Sequence, residues 1–168
     1  WLRSHAYPLL RETVEFYRSL ARKGDDDRFH LSGLNQFEGG FGTNDGLIDL
    51  GAIRGTVPLA IRAAEILRVD EELRIKWMEF LAKLTPYPMS SDPKTYGVVK
   101  ECPVDVWACG FPGDVPHPRF VEELPEAILF TVFPFENWTL ETRDPALDRI
   151  VYTLAGLNMY HTGLLKGR

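Results

Sequence analysis

After Pro8, which suits a first helical turn, Leu9, Leu10, Val14, Phe16, Tyr17 and Leu20 recur at near-helical spacing until Lys23-Gly24 closes the pattern. The spacing predicts an amphipathic helix. Asp25-Asp26-Asp27 reads as a polar turn and Arg28-Phe29-His30-Leu31 as a short extended piece that implies no sheet of its own. From about Leu47, the positions Leu50, Ile53, Val57, Ala60, Ile61, Ala64 and Leu67 form an apolar stripe of helical period. A second helix follows, with Pro58 inside it. Because proline removes a backbone donor, either a kink there or a later helix start is expected. Asp70 is placed to cap a third helix whose Leu73, Trp77, Phe80, Leu81 and Leu84 share one face. So short a joint predicts that the second and third helices are antiparallel neighbours.

Between Thr85 and Thr142 the helical period lapses, and nine prolines from Pro86 to Pro134 interrupt the segment. A long ordered loop region is expected, with Tyr96-Gly97-Val98-Val99 and the run from Ala127 to Phe133 apolar enough to be buried pieces. Asp144-Pro145 then starts a final helix carrying Leu147, Ile150, Val151, Leu154, Leu157 and Tyr160 on its face. Helical hairpins separated by elaborate loops, with at most short β pieces, place the chain in the all-α class. They suit a partial helical barrel or (α/α)6 toroid whose loops make the site at one end. No repeat at ankyrin or tetratricopeptide spacing is present.

Composition narrows the partners. With 168 residues, 45% hydrophobic and 26% charged, the chain can bury one core. No apolar run approaches the roughly 20 residues that cross a bilayer, so no membrane role is expected. The 24 acidic against 19 basic residues give a formal charge of -5, which opposes a phosphate backbone, and nucleic acid is not an expected partner. Cys102 and Cys109 lack the second pair or histidine spacing of a zinc knuckle and are compatible with free thiols or one disulfide. Neither a metal nor a cofactor is expected. Asn137-Trp138-Thr139 is a glycosylation sequon if a eukaryote secretes the protein. The chain opens on Trp1 and ends on an apolar helical pattern at Gly163-Leu164-Leu165. A single partial domain spanning 1–168, cut from a larger protein, is the expectation.

The stretch richest in candidate chemistry runs from Leu31 to Leu67. Its loop, Ser32 to Asp45, holds four glycines together with Glu38, Asn44 and Asp45, and it feeds straight into the second helix. Glycine lets such a backbone take positive φ and approach a ligand closely. Glycosidic cleavage needs a protonated carboxyl beside the leaving oxygen and usually a second carboxylate. Glu38 is the candidate acid, because Phe37 and Phe41 flank it and can desolvate it, raising its pKa. Sugars also need aromatic faces and amides, for which Trp107, Trp138, Phe111, Tyr96, Asn35 and Asn44 are candidates on loops.

The segment Ala6-Tyr7-Pro8-Leu9-Leu10-Arg11-Glu12-Thr13-Val14-Glu15-Phe16-Tyr17 resembles an inner-helix start of the six-hairpin glycosidases, particularly glycoside hydrolase family 95, the α-L-fucosidase-like group. Ala63-Ala64-Glu65-Ile66-Leu67, Asp70-Glu71-Glu72-Leu73, Lys76-Trp77 and Leu84-Thr85-Pro86-Tyr87 follow in the family's order. The resemblance covers the first half of the chain well and the remainder loosely. It implies an (α/α)6 catalytic domain with Glu38 in the position of the general acid, Asp49 at the start of the next helix and Asp45 as an extra acid. Asn35 and Gly39 depart from the family's pattern, and of its His-rich motif only His117-Pro118-Arg119 remains. Asn35, Asn44, Asp45, Asp49, Trp107 and His117 are the expected substrate-binding residues, with Glu136 a further candidate. The second carboxylate is expected outside this chain, so the piece alone should be inactive. The family's enzymes are often exported, so an extracellular or periplasmic setting is compatible with the resemblance, and the location of the full-length protein stays open.

Two functions from different classes follow. One is a glycoside hydrolase acting on an oligosaccharide or polysaccharide by an inverting acid/base mechanism. The other is a non-catalytic carbohydrate-binding or scaffold module on the same helical fold.

Overall fold

A computed structural model describes residues 1–35, 42–87, 89–90, 102–103, 105–107, 117–119 and 133–137. The described part is mostly helical, with a few strands of two or three residues. Two compact units divide the chain, the first made of Trp1–Leu31 with Ala52–Pro86 and the second of Ser32–Gly51 with Tyr87–Arg168.

In the first unit a π-helical turn, Leu2–Ala6, leads into helix α1, Tyr7–Leu20, with Pro8 in the first turn where its missing N–H costs no intrahelical bond. Val14 on α1 is fully buried, whereas Leu9 and Phe16 are 70% and 57% exposed. The sequence pattern counted those two with the apolar face; a turn-by-turn period does not say which edge of a broad stripe meets the core. Strands β1, Arg22–Lys23, and β2, Phe29–His30, pair antiparallel around the Asp25-Asp26-Asp27 turn. The extended piece expected there is thus half of a small hairpin.

Helix α2, Leu47–Leu67, runs without interruption through Pro58. Its start is where the apolar stripe begins rather than later. Leu50, Ile53, Val57, Ala60 and Ala64 are buried, and Pro58 sits on the exposed side, where packing of the opposite stripe holds both halves together at the loss of one backbone bond. The carboxyl end of α2 is closed by the Val69 N–H on the Ala64 carbonyl (3.1 Å) and by the Arg3 guanidinium on the Leu67 carbonyl (3.0 Å). A cation on the last carbonyls satisfies orphan acceptors and complements the helix dipole.

Helix α3, Glu71–Ala82, buries Trp77 and Phe80, as its pattern predicts. The Phe29 ring meets Phe80 edge-on at 5.3 Å. Around it, the Phe29 N–H donates to the Lys83 carbonyl (2.8 Å) and the Thr85 N–H to the Phe29 carbonyl (3.0 Å), so the hairpin is stitched to the end of α3. Lys83 adds a 3.1 Å ion pair with Asp27.

Asp70 stands at the predicted N-cap of α3, but its side chain makes no cap bond there. Its backbone is left-handed (φ 52°), and the carboxylate instead accepts from the Tyr7 hydroxyl at 2.6 Å. Arg11 lies 3.6 Å from the same oxygen. A buried hydroxyl that would otherwise lose a partner outcompetes the helix end, whose N–H groups can turn to water. Burial, and then the bond to Asp70 and its charge, push the Tyr7 pKa well above the tyrosine norm. Tyr7→Phe is expected to lower unfolding free energy by about 1.5–3 kcal/mol, the worth of a hydrogen bond to a charged group. Urea denaturation checks this, and an unchanged midpoint would show that the bond carries nothing.

In the second unit, strand β3, Thr43–Asn44, pairs antiparallel with β6, Asp105–Trp107, which in turn pairs with β7, His117–Arg119. Strands β4, Met89–Ser90, and β5, Cys102–Pro103, form a separate antiparallel pair. Phe133, expected at the end of a buried run, is 78% exposed. The rest of that run, the Tyr96–Val99 piece, Cys109 and the helix expected from Asp144 lie outside the described residues.

Candidate functional site

The glycine-rich loop is closed at a neck. Leu34 and Thr43 exchange backbone bonds, Leu34 N–H to Thr43 carbonyl (3.1 Å) and Thr43 N–H to Leu34 carbonyl (2.8 Å). The Thr43 side chain is fully buried, and its hydroxyl also donates to the Leu34 carbonyl at 2.7 Å. A buried hydroxyl with a short acceptor stabilises this crossing rather than straining it. Gly33 and Gly42, on either side of the crossing, take φ of 70° and 69°. That is left-handed space, where a Cβ is disfavoured, and it explains why glycine stands at both edges of the neck.

Asn35 and Asn44 brace the same neck. The side-chain oxygen of Asn44 accepts from the Gly33 N–H (3.3 Å) and that of Asn35 from the Gly42 N–H (3.4 Å), both long bonds. The sequence assigned these amides to a sugar; their oxygens are committed to the loop's own backbone. This is the usual competition of short amide side chains for nearby main-chain donors.

Thr43 has a second partner across the sheet. The register sets Thr43 opposite Trp107, and Trp107 opposite His117. Together with the Leu34 bridge this makes one continuous row, Leu34, Thr43, Trp107, His117, running across the loop neck and two further strands. Asn44 falls one rung along, opposite Val106. Residues so distant in sequence are therefore brought to adjacent strands. Asp45 follows β3 with φ 51°, and Asp49 lies in the first turn of α2, where a carboxylate is favoured by the helix dipole. Glu38, with Phe37, Gly39 and Phe41, lies outside the described residues, as do Tyr96, Phe111 and Trp138. Among the described residues no group of three or more His, Cys, Asp or Glu is placed to hold a metal ion, and no helix is long and apolar enough to cross a membrane.

One cluster escaped the sequence. The Asn137 side-chain nitrogen donates to the Gly51 carbonyl (3.2 Å) and to the Phe135 carbonyl (2.9 Å), while its oxygen accepts from the Tyr87 hydroxyl. Gly51 lies in α2, and a Cβ built there would come within 2.9 Å of the Phe135 ring. The only signals were the sequon at Asn137 and a glycine in a helical stripe. Glu136, a weaker candidate, is exposed with φ 51° in the same turn.

No family model matches the chain, and no curated protein matches it.

Proposed function

We propose that the chain is part of the catalytic domain of an inverting glycoside hydrolase on an (α/α)6 toroid, acting on an oligosaccharide or polysaccharide with Glu38 as general acid. The observation that carries this is the row Leu34, Thr43, Trp107, His117, which ties the neck of the loop bearing Glu38 to an aromatic and an imidazole-bearing strand. Aromatic faces and a few polar groups gathered near a carboxyl are what sugar binding and protonation of a glycosidic oxygen require. The order of helix motifs from Tyr7 to Tyr87 supports the same assignment.

In this mechanism Glu38 gives its proton to the departing oxygen while a second carboxylate, expected elsewhere in the complete protein, takes a proton from the attacking water. A gap of about 6.5–9.5 Å between the carboxyls leaves room for that water. Trp107 supplies a face for the sugar, and Asp45, Asp49 and His117 supply polar contacts around it.

The test is turnover of a panel of aryl glycosides by the complete protein, with the anomer formed first identified by NMR. Inverted product is expected. Saccharide binding in calorimetry without any turnover would replace the assignment by a non-catalytic binding module, and retained configuration would overturn the inverting mechanism.

A further inference from the structure

The Asn137 cluster points beyond that assignment and does not depend on it. A primary amide has two N–H donors and one oxygen able to accept. At Asn137 each donor faces a main-chain carbonyl, which can only accept, and the oxygen faces a hydroxyl able to donate. The amide thus has one orientation that satisfies all three partners. It is half-buried, and two of its partners, Gly51 and Tyr87, come from parts of the chain far from it in sequence.

Gly51 belongs to the same arrangement. It lies one turn after Leu47, where α2 begins, and its lack of a side chain admits the Phe135 ring beside the helix backbone. With the ring in that place, the Asn137 amide reaches the Gly51 carbonyl. The turn at residues 133–137 therefore grips α2 at a main-chain atom just after its first turn, which carries Asp49.

We propose that Asn137 is a positioning residue that fixes the amino-terminal end of α2 at Gly51, and that in doing so it closes its own Asn137-Trp138-Thr139 sequon to N-glycosylation in the folded chain. Attachment of a sugar to the side-chain nitrogen replaces one of its two N–H bonds with an N–C bond. One donor is then left for two carbonyls, and the sugar must occupy the space between them. A glycan therefore excludes the pair of bonds to Gly51 and Phe135 that the free amide makes together. The Gly51 carbonyl keeps its helical bond inside α2 in either case, so what a glycan removes is a tie between the 133–137 turn and the helix.

Asn137→Asp in the full chain is the direct test, because aspartate keeps an oxygen for Tyr87 while setting a second oxygen against the carbonyls of Gly51 and Phe135. Amide hydrogen exchange over residues 47–51, where the Leu50 N–H bonds to Gly46, is expected to speed up about tenfold, with α3 unchanged. Equal acceleration in α3 would mean general destabilisation and would overturn the proposal, as would unchanged exchange in both. The natural sequence offers a second test that needs no variant. Secreted from a eukaryotic host, the soluble chain is expected to be unmodified at Asn137 by mass spectrometry. A glycan there with undisturbed exchange over 47–51 would overturn the proposal.

Discussion

Replacing Glu38 with glutamine in the complete protein is expected to lower kcat/KM on a glycoside with a poor leaving group by roughly 10²–10⁴-fold. Glutamine keeps the size and most of the polarity of the side chain but has no proton to give. A departing alkoxide that must be protonated as its bond breaks feels that loss in full. An aryl leaving group of low pKa departs with little help, so the same variant should cleave it with a far smaller deficit. The contrast between the two substrates is the diagnostic, because a variant that merely distorted the loop would lose both activities together. Undiminished activity on the poor leaving group would remove Glu38 from the chemistry. The measurement is steady-state kinetics of both enzymes on the paired substrates.

Trp77→Ala is expected to cost about 3–5 kcal/mol of unfolding free energy, the usual range for emptying a large aromatic site. Trp77 is 0% exposed, and total stabilities of small domains are only about 5–15 kcal/mol, so the variant should be close to unfolded at moderate urea. Besides its packing, the indole N–H donates to the Glu15 carboxylate at 2.6 Å, which also accepts from Arg18 at 2.6 and 2.8 Å. Partial burial pushes the Glu15 pKa up, but the bonds from Trp77 and Arg18 outweigh it and hold the group below its usual 4.5. A carboxylate depressed in the folded state adds stability above its unfolded pKa and loses it as pH falls through the folded value. Trp77→Phe keeps a ring and removes the donor. Its stability should therefore decline less steeply than the natural protein's on acidification from about pH 7 to about pH 3. Parallel acid limbs in urea titrations would show that the indole bond does not tune Glu15.

The helices were the legible part of the sequence, for a reason visible in α2. Leu50, Ile53, Val57, Ala60 and Ala64 repeat with the helix, and all five are buried, so local period and tertiary packing agree. Asp70 shows where that logic stops: its place at the start of α3 was readable, but Tyr7, the residue that takes its carboxylate, is 63 positions away. Spacing carries no information about such a partner. The sheet was illegible for the same reason, since Thr43, Trp107 and His117 sit in short strands whose alternation is too brief to register, and their pairing is entirely long-range. At the loop neck the glycines foretold the turns, and Gly33 and Gly42 do take positive φ. The bracing bonds of Asn35 and Asn44 were not legible, because an amide that can bind a sugar is equally able to bind the main chain beside it.

The crossing of Leu34 and Thr43 fixes both ends of the intervening segment, whatever that segment contains. Closure entropy rises only with the logarithm of length, so doubling the residues between the two strands would cost about 0.6 kcal/mol. Descendants of this sequence can thus lengthen or shorten the stretch between Asn35 and Gly42 at small cost in stability. What natural selection would find at this neck is a cassette of adjustable length around Glu38, and a protein engineer seeking altered recognition would cut at Leu34 and Thr43 and carry that carboxyl over.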